Sequence, residues 1–149
     1  MTLEPRDPRY AERVRASFAR QRFMATLGAT LELVEPGEVR IGFARREELT
    51  QQHGFLHAGV LASVVDSACG YAALSLMESG TGVLSIEFKI NMLAPARADR
   101  FVAIGRVLRA GRTITVCTGE AIALRDDGPI TVATMQATMM AVRREGVVD

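Results

Sequence analysis

The chain has 149 residues, the size of one ordinary domain and enough to bury a core without disulfide or metal support. Its 18 basic and 17 acidic residues leave a formal net charge of +1, which argues against a nucleic-acid partner. The first residues have neither the apolar core nor the cleavage site of a secretory signal. We therefore expect a single domain over 1–149 and a cytoplasmic location.

The first predicted elements are a helix and a β-hairpin. Over about 9–27, apolar residues recur at intervals of three to five with arginines between them, which is typical of an amphipathic helix. Apolar residues then alternate on both sides of Pro36-Gly37, and this pattern predicts two strands joined by a turn. The polar stretch 45–55 shows neither the helical pattern nor the alternation of a strand, and it is expected to form a loop.

Residues 58–77 are apolar on all sides, and their length and alanine content favour a helix over a strand. A helix that is apolar all round must be enclosed by the rest of the fold. A membrane span is the alternative, but Asp66 near its centre would cost about 2.5–3.5 kcal/mol to insert. Because the chain beyond this segment reads as a β-rich domain, we expect a buried central helix and no membrane partner.

Four further strands are expected after this helix, joined by short turns into an antiparallel meander. The clearest strand covers 83–93, where apolar and polar residues alternate, so one of its faces is predicted to be core. The residues predicted to face the core there are Leu84, Ile86, Phe88, Ile90 and Met92. Turns at 110–111 and 126–129 separate the remaining strands.

Small residues recur at alternate positions on the last two strands, namely Gly119, Ala121, Ala123, Ala133, Ala137 and Ala141. Such a face lets another element approach closely, and the enclosed helix is its natural occupant. The sequence therefore predicts an α+β fold in which a curved antiparallel sheet of about six strands wraps around a long central helix, with an N-terminal helix beside it. The core is expected over about 29–142, followed by a short tail.

Asp66 lies in the middle of the predicted central helix, where an ionised carboxylate costs several kcal/mol unless it is compensated. One interpretation is structural, with Asp66 hydrogen-bonded to a nearby hydroxyl such as that of Ser63 or Ser67. The other is functional, with Asp66 beside a cavity that receives a substrate. The residues at the start of the helix favour the functional interpretation.

His57, Ala58 and Gly59 lead directly into this helix. The N–H groups of Ala58 and Gly59 lack intrahelical partners at the positive end of the helix dipole, which suits an oxyanion. His57 has an alternative role as a capping residue. Asp66 lies about 800° of rotation and about 12 Å beyond Ala58, too far for both to act on one carbonyl of a substrate in the same chain. If they serve one reaction they belong to two chains, which predicts a two-fold dimer.

The stretch QQHGFLHAG followed by Asp66 resembles the motif of the hotdog-fold acyl-CoA thioesterases, in the PaaI-like subfamily of the 4-hydroxybenzoyl-CoA thioesterase superfamily. The resemblance covers about 29–142. It implies hydrolysis of an acyl-CoA thioester by homodimers or homotetramers with sites at the dimer interface. Two positions depart from the family motif. Gln51 or Gln52 stands where the family often has Asn, and Ala58 replaces a glycine, which we expect to narrow the acyl pocket.

The resemblance also implies roles for individual residues. Asp66 acts as general base for water or as direct nucleophile, and the sequence leaves these alternatives open. The amide of Ala58, with that of Gly59, forms an oxyanion hole. His57 and Gln51 orient the carbonyl or the water.

Further residues are assigned with an alternative beside each. Ser85 matches a Ser or Thr that assists in some family members, but on an alternating strand it also suits a polar position facing outward. Arg97 and Arg112 are the leading candidates for binding the CoA phosphates, although each suits a solvated surface charge. Cys69 and Cys117 are expected to be buried reduced thiols. Four methionines fit either a deformable acyl pocket or the core: Met77, Met92, Met135 and Met139.

No metal or separate cofactor is expected, because coenzyme A arrives as part of the substrate. Two other functions stay open. A hotdog hydratase or dehydratase also places a carboxylate and a histidine around an acyl thioester, although the spacing from His57 to Asp66 favours the thioesterase. A non-catalytic acyl-CoA sensor would use the same pocket with a structural Asp66.

Overall fold

A computed structural model of the chain describes residues 3–149. Its main elements, in chain order, are α1 (Tyr10–Arg20), α2 (Arg22–Leu27), β1 (Thr30–Glu35), β2 (Glu38–Ala44), α3 (Ala58–Leu74), β3 (Gly82–Met92), β4 (Arg100–Ala110), β5 (Ile114–Leu124) and β6 (Ile130–Val142). One turn of 3-10 helix, Glu47–Leu49, lies in the loop before α3. The strands form one antiparallel sheet and α3 packs across it, which confirms the predicted α+β hotdog fold.

The strand order in the sheet is β1-β2-β4-β5-β6-β3. Strands β4, β5 and β6 form the expected meander. The predicted meander is wrong for β3, which pairs with β6 rather than with β4. The reason is that β2 occupies the position beside β4. Strand β3 therefore lies at one edge of the sheet, and its outer side has no neighbouring strand among residues 3–149.

The central helix approaches the sheet very closely at two glycines. A Cβ atom at Gly105 would collide with the backbone of Ala68, and a Cβ atom at Gly119 would collide with the side chain of Val65. The face of small residues therefore receives α3, as the sequence predicts. Because Val65 and Ala68 flank Asp66 on the same helix, this contact also fixes the position of that carboxylate.

The predicted N-terminal helix is interrupted at Gln21. This residue has extended backbone angles, φ −78° and ψ 93°, so α1 ends before it and α2 begins after it. Neither proline nor glycine occurs at this point of the sequence, and glutamine favours a helix. Local propensity therefore does not explain the break.

Arg13 fastens α1 to the carboxyl end of α3. Its guanidinium donates hydrogen bonds to the carbonyl oxygens of Leu74 and Met77, at 2.8 and 2.9 Å. Carbonyl groups at the end of a helix lack intrahelical donors, so a positively charged donor is favourable there. Phe18 of α1 also packs edge-on against Tyr71 of α3, with ring centroids 5.7 Å apart. The N-terminal helices are thus held against the helix that carries Asp66.

Strand β3 departs from the alternation predicted for it. Its register with β6 shifts between Ser85 and Glu87, so Ile86 is an extra residue in a β-bulge. Ser85 lies opposite Met139, which is fully buried, and opposite residues of an antiparallel pair share a face. Ser85 therefore lies on the face of β3 that is turned toward α3, and it is exposed there because β3 is an edge strand.

Several apolar side chains of β3 that were predicted to lie in the core are exposed. Leu84, Ile86, Phe88 and Met92 are 47%, 50%, 43% and 43% exposed. Phe88, Ile90 and Met92 do lie on the side of α3, since they pair with buried residues of β6, whereas Leu84 lies on the opposite face. Ile90 is half-buried and packs against the core, whereas Phe88 and Met92 remain accessible because β3 is an edge strand.

The residues after β6 form a short tail, as the sequence suggests, and this tail is docked against the rest of the domain. The Asp149 carboxylate accepts a hydrogen bond from the Ser17 hydroxyl at 2.6 Å. It accepts another from the Val83 N–H at 2.8 Å. The end of the chain thus joins α1 to the start of β3.

Both cysteines are buried and unpaired, as the sequence predicts. Burial raises the pKa of Cys117 to about 12, so its thiol is unreactive at neutral pH. Within residues 3–149, no helix combines the length and the apolar character needed to cross a bilayer. The cytoplasmic location stays a prediction.

Candidate active site

Asp66 lies on the part of α3 that faces β3. Its Oδ1 accepts a hydrogen bond from the Ser85 hydroxyl at 2.7 Å. Neither of the serines that the structural alternative named is its partner: Ser63 donates to the Gly59 carbonyl within the helix instead. The β3 bulge turns Ser85 inward, so the interpretation of Ser85 as an outward-facing polar residue is wrong.

The environment of Asp66 favours the protonated form of its carboxyl group. Burial raises the pKa of Asp66, and the hydrogen bond from Ser85 opposes this shift by stabilising the charged form. A carboxylate with a raised pKa is a stronger base than an exposed one. Because Ser85 is its one hydrogen-bond donor among the described residues, lone pairs remain for water or a substrate.

Asp66 and Ser85 line a cavity of about 120 Å³, referred to below as the Asp66 cavity. Its other polar lining residues come from α3, from the α1–α2 junction and from the docked end of the chain: Gln21, Ser67, Tyr71 and Asp149. Sequence reasoning missed three of these, Gln21, Tyr71 and Asp149. The hydroxyl of Tyr71 in an otherwise apolar helix was an available signal, whereas the distant segments gave none.

His57 caps the amino end of α3. Its Nδ1 accepts a hydrogen bond from the Gly59 N–H at 2.8 Å, which confirms the capping interpretation. The expectation for Gly59 needs correction, because its amide is occupied by His57. The Ala58 N–H has no acceptor among residues 3–149 and stays available for an oxyanion. A neutral His57 that accepts at Nδ1 carries its proton on Nε2, which is a second donor at this exposed surface.

The loop before α3 holds Gln51 beside Ala58. The Gln51 N–H donates to the Phe55 carbonyl at 2.8 Å and closes a tight turn. Gly54 in this turn has φ +81°, a left-handed conformation that glycine adopts without a steric penalty. Gln51 and Ala58 line the same cavity, whereas Gln52 is exposed. The structure therefore favours Gln51 as the counterpart of the family Asn.

The cavity beside Ala58 has a volume of about 290 Å³ and is referred to below as the Ala58 cavity. Most of its lining is apolar and includes Phe55, Leu61, Met92 and Pro95. It shares no lining residue with the Asp66 cavity. Since α3 is continuous from Ala58 to Leu74, the separation of about 12 Å between the amide and Asp66 applies.

The four methionines divide between the two expected roles. Met77, Met135 and Met139 are buried in the core. Met92 is 43% exposed and lines the Ala58 cavity. One methionine of the four therefore lies where a deformable side chain would meet a ligand.

The two candidate arginines for CoA lie in different places. Arg97 lines a cleft of about 400 Å³ together with Arg45 and Phe55, and Phe55 also lines the Ala58 cavity. Asp99 in the same cleft reduces its positive charge. Arg112 lines a cavity of about 320 Å³ that shares no residue with the Asp66 or the Ala58 cavity. The geometry favours Arg97 over Arg112 as a neighbour of the site.

A hotdog sheet around a helix that carries a semi-buried carboxylate and a free N-terminal amide defines a class of protein that acts on acyl thioesters. The chain matches the model of the thioesterase superfamily over residues 53–130 and belongs to that family. The matched segment contains His57, Ala58, Asp66 and Ser85, but it does not extend to Gln21.

Solved structures show the same fold. A thioesterase family protein from Silicibacter pomeroyi is 53% identical with a TM-score of 0.88, and the match covers 89% of this chain and 98% of that chain. The Escherichia coli PaaI protein is 20% identical with a TM-score of 0.80, and the match covers 90% of this chain and 94% of that chain. At the lower identity the likeness concerns the fold alone.

Sequence relatives include proteins named as acyl-CoA thioesterases. The medium/long-chain acyl-CoA thioesterase YigI of Escherichia coli is 26% identical over 133 residues, covering 79% of this chain and 84% of that protein. Acyl-coenzyme A thioesterase 13 of Pongo abelii is 31% identical over 105 residues, covering 69% and 74%. A Saccharolobus solfataricus relative is 38% identical over 90 residues, so the chain spans 59% of that protein's length.

Proposed function

We propose that the protein hydrolyses an acyl-CoA thioester to a free acid and coenzyme A, in a homodimer whose sites each combine two subunits. Family membership and the relatives named above support the reaction class. The single observation that carries the shared site is the arrangement along β3. Ser85, the partner of Asp66, lies near one end of this strand, and Met92 of the Ala58 cavity lies at the other.

The free edge of β3 is the proposed dimer contact. A long edge strand with exposed apolar side chains is typical of an interface. Ser85 and Met92 lie about 23 Å apart along an extended strand. If β3 pairs antiparallel with β3 of a second subunit, the two-fold axis brings the Ser85 end of one strand beside the Met92 end of the other. The Asp66 cavity of one subunit then adjoins the Ala58 cavity of its partner.

Asp66 supplies the reacting group. As a general base, it takes a proton from water while the water oxygen attacks the thioester carbon. As a nucleophile, its carboxylate attacks that carbon and water then opens the resulting mixed anhydride. By either route the carbon–sulfur bond breaks and the CoA sulfur leaves with a proton. Ser85 holds the Asp66 carboxylate in place, and the raised pKa of Asp66 suits the role of a general base.

The Ala58 amide supplies the oxyanion donor. Its N–H lies at the positive end of α3 and has no protein acceptor among the described residues. Loss of one such donor typically costs about 2.7–4 kcal/mol of transition-state stabilisation. Gln51 lines the same cavity as Ala58, and its Oε1 accepts a hydrogen bond from the His53 N–H. The Gln51 amide nitrogen and His57 Nε2 are the proposed donors that orient the carbonyl or the water.

The CoA part of the substrate lies toward Arg97 and Arg45. Neither guanidinium has a carboxylate partner within the ion pairs of residues 3–149, so both are available for phosphate. Their cleft is next to the Ala58 cavity, since Phe55 lines both. A role for Arg112 and assembly into a homotetramer stay predictions.

The test uses two variants that each remove half of the site, Asp66→Asn and Ala58→Pro. Ala58 is the first residue of α3, where proline's missing N–H and fixed φ are tolerated. His57 already has the extended ψ of 135° that a residue before proline requires. The proline therefore removes the oxyanion donor without breaking the helix. Thiol release from a panel of acyl-CoA substrates is measured for each variant and for an equal mixture after subunit exchange.

Each variant alone is expected to be nearly inactive, whereas the mixture is expected to recover about one quarter of wild-type activity. Half of the dimers are then mixed, and each mixed dimer has one intact site. A mixture that stays inactive would show that both groups act within one chain. Wild-type turnover by Asp66→Asn would remove Asp66 from the chemistry.

The same assay separates the rival functions. Thiol release identifies hydrolysis. A change in the double bond or hydroxyl group of an enoyl or hydroxyacyl thioester, without thiol release, would identify a hydratase or dehydratase. Tight binding of acyl-CoA without turnover would identify a sensor.

A further inference from the structure

We infer that Gln21 selects the substrate by accepting a hydrogen bond from a hydroxyl group on the acyl part, bound in the Asp66 cavity. This rests on the proposed function, because the acyl part of a thioester attacked at Asp66 must lie beside that residue. Gln21 is thereby assigned as a binding residue for hydroxylated acyl groups.

The Gln21 side chain has an unused acceptor at the cavity. Its Oε1 is buried and receives no hydrogen bond from the residues that the structure describes. Gln21 lines the Asp66 cavity together with Asp66 itself. A buried carbonyl oxygen without a donor is unfavourable, so a ligand that brings a donor would satisfy it.

The backbone at Gln21 departs from the helix that the sequence favours. A break at a good helix former, without proline or glycine, places the side chain of Gln21 on the cavity instead of on a helix face. Departures of local structure from local propensity occur preferentially at functional sites. The break between α1 and α2 thus coincides with the placement of this side chain on the cavity.

The rest of the cavity also favours a donor on the ligand. The Asp149 carboxylate lines it and is held by the Ser17 hydroxyl and the Val83 N–H. Among the described residues that line the cavity there is no lysine, arginine or histidine. A hydroxyl group therefore finds acceptors, whereas an anionic end group would find no counter-charge.

Gln21 and Asp149 lie outside residues 53–130, the segment that matches the family model, whereas Asp66 and Ser85 lie inside it. The reacting carboxylate and its partner thus belong to the family core. The polar wall of the cavity is built by the N-terminal helices and the end of the chain. This division is what a substrate-selecting wall added to a common catalytic core would produce.

The experiment compares butanoyl-, hexanoyl- and octanoyl-CoA with their ω-hydroxy forms, using wild type, Gln21→Met and the control Gln136→Met. Methionine keeps the length of glutamine but lacks the amide acceptor, and Gln136 is exposed on β6. In wild type, kcat/KM is expected to favour one or more hydroxylated chains by about tenfold over the matched plain chain. Gln21→Met is expected to bring this ratio close to one by lowering kcat/KM more for the hydroxylated chain than for the matched plain chain, and Gln136→Met is expected to keep the ratio.

Binding of non-hydrolysable thioether analogues, measured by calorimetry, gives the same comparison without turnover. If only the proposed function fails, hydrolysis is absent, but the hydroxylated analogue still binds about tenfold more tightly than the plain one. This difference in Kd would still depend on Gln21. The inference on Gln21 is overturned if no chain length shows a preference for the hydroxyl form in wild type. It is equally overturned if Gln21→Met is folded, as judged by circular dichroism, and keeps the preference.

Discussion

The two cavities beside α3 have opposite chemistry. The Asp66 cavity is small and polar, and it holds a carboxylate of raised pKa. The Ala58 cavity is larger and mostly apolar, and it holds a free backbone donor. One has a reacting group without an oxyanion donor, and the other has the donor without a reacting group. Under the proposed function, one folded chain therefore provides two incomplete halves of a site, and a second subunit completes each of them.

The largest expected effect follows from separating the two halves. Ile86 is 50% exposed at the bulge of the free edge strand, so Ile86→Lys places a charge in the proposed β3–β3 contact. We expect a monomer by analytical ultracentrifugation and a loss of turnover of about a thousandfold or more, since both sites lose one half. Leu108→Lys is the matched control, because Leu108 is 59% exposed on β4 away from that edge. A monomer with full activity would show that one chain suffices.

The next largest effect is expected from loss of the Ala58 N–H, which two substitutions distinguish from loss of the Ala58 side chain. Ala58→Pro is expected to lower kcat by about a hundredfold to a thousandfold with little change in KM, because the donor acts on the transition state. Ala58→Gly retains the N–H and removes the methyl group, and its kcat is expected to stay close to wild type. Steady-state kinetics on one acyl-CoA measure both. Equal losses in the two variants would assign the effect to the side chain and not to the amide.

Sequence patterns identified those residues of the candidate site that lie within one continuous stretch. The run from Gln51 to Asp66 contains the turn, the cap, the free amide and the carboxylate, so their types and spacing are visible without a structure. The enclosed helix and the small-residue face of the sheet were predictable for the same reason, because each depends on periodicity within one element.

The features that the sequence did not reveal depend on contacts between distant segments. A single extra residue at the β3 bulge reverses the alternation of side chains and turns Ser85 toward Asp66. The regular apolar–polar alternation of the sequence gives no sign of this bulge. The position of β3 depends on which edge of the sheet has no other strand. Because β2 pairs with β4, the expectation that strands adjacent in sequence also pair placed β3 wrongly beside β4. The break at Gln21 has no local cause, and it became visible once the cavity was defined.

A smaller effect tests how the Asp66 cavity is tuned. Ser85→Ala removes the hydrogen bond that stabilises the charged form of Asp66, so the pKa of Asp66 is expected to rise further. The acid limb of the kcat/KM profile should then move to higher pH, with a loss of about tenfold at neutral pH. Ser67→Ala is the control, because Ser67 lines the same cavity without bonding to Asp66. An unmoved acid limb would show that Ser85 does not act through the carboxylate.

The smallest effect concerns stability and is expected to oppose the effect on activity. Because the pKa of Asp66 is raised in the folded chain, the folded state binds this proton more tightly than the unfolded state does. Its favourable contribution is present below the unfolded pKa and is lost as pH rises through the folded pKa. Asp66→Asn removes that loss, so it is expected to raise Tm at neutral pH.

This gain in Tm should disappear in acid, where wild-type Asp66 is also uncharged, and calorimetry over a series of pH values measures it. Asp126→Asn in the exposed β5–β6 turn is the matched substitution, and it should show no comparable dependence on pH. A folded Asp66→Asn variant that is less stable than wild type at neutral pH would mean that the charged carboxylate supports the fold. The polar cavity would then be a structural feature, and its contrast with the Ala58 cavity would no longer divide a reaction between two subunits.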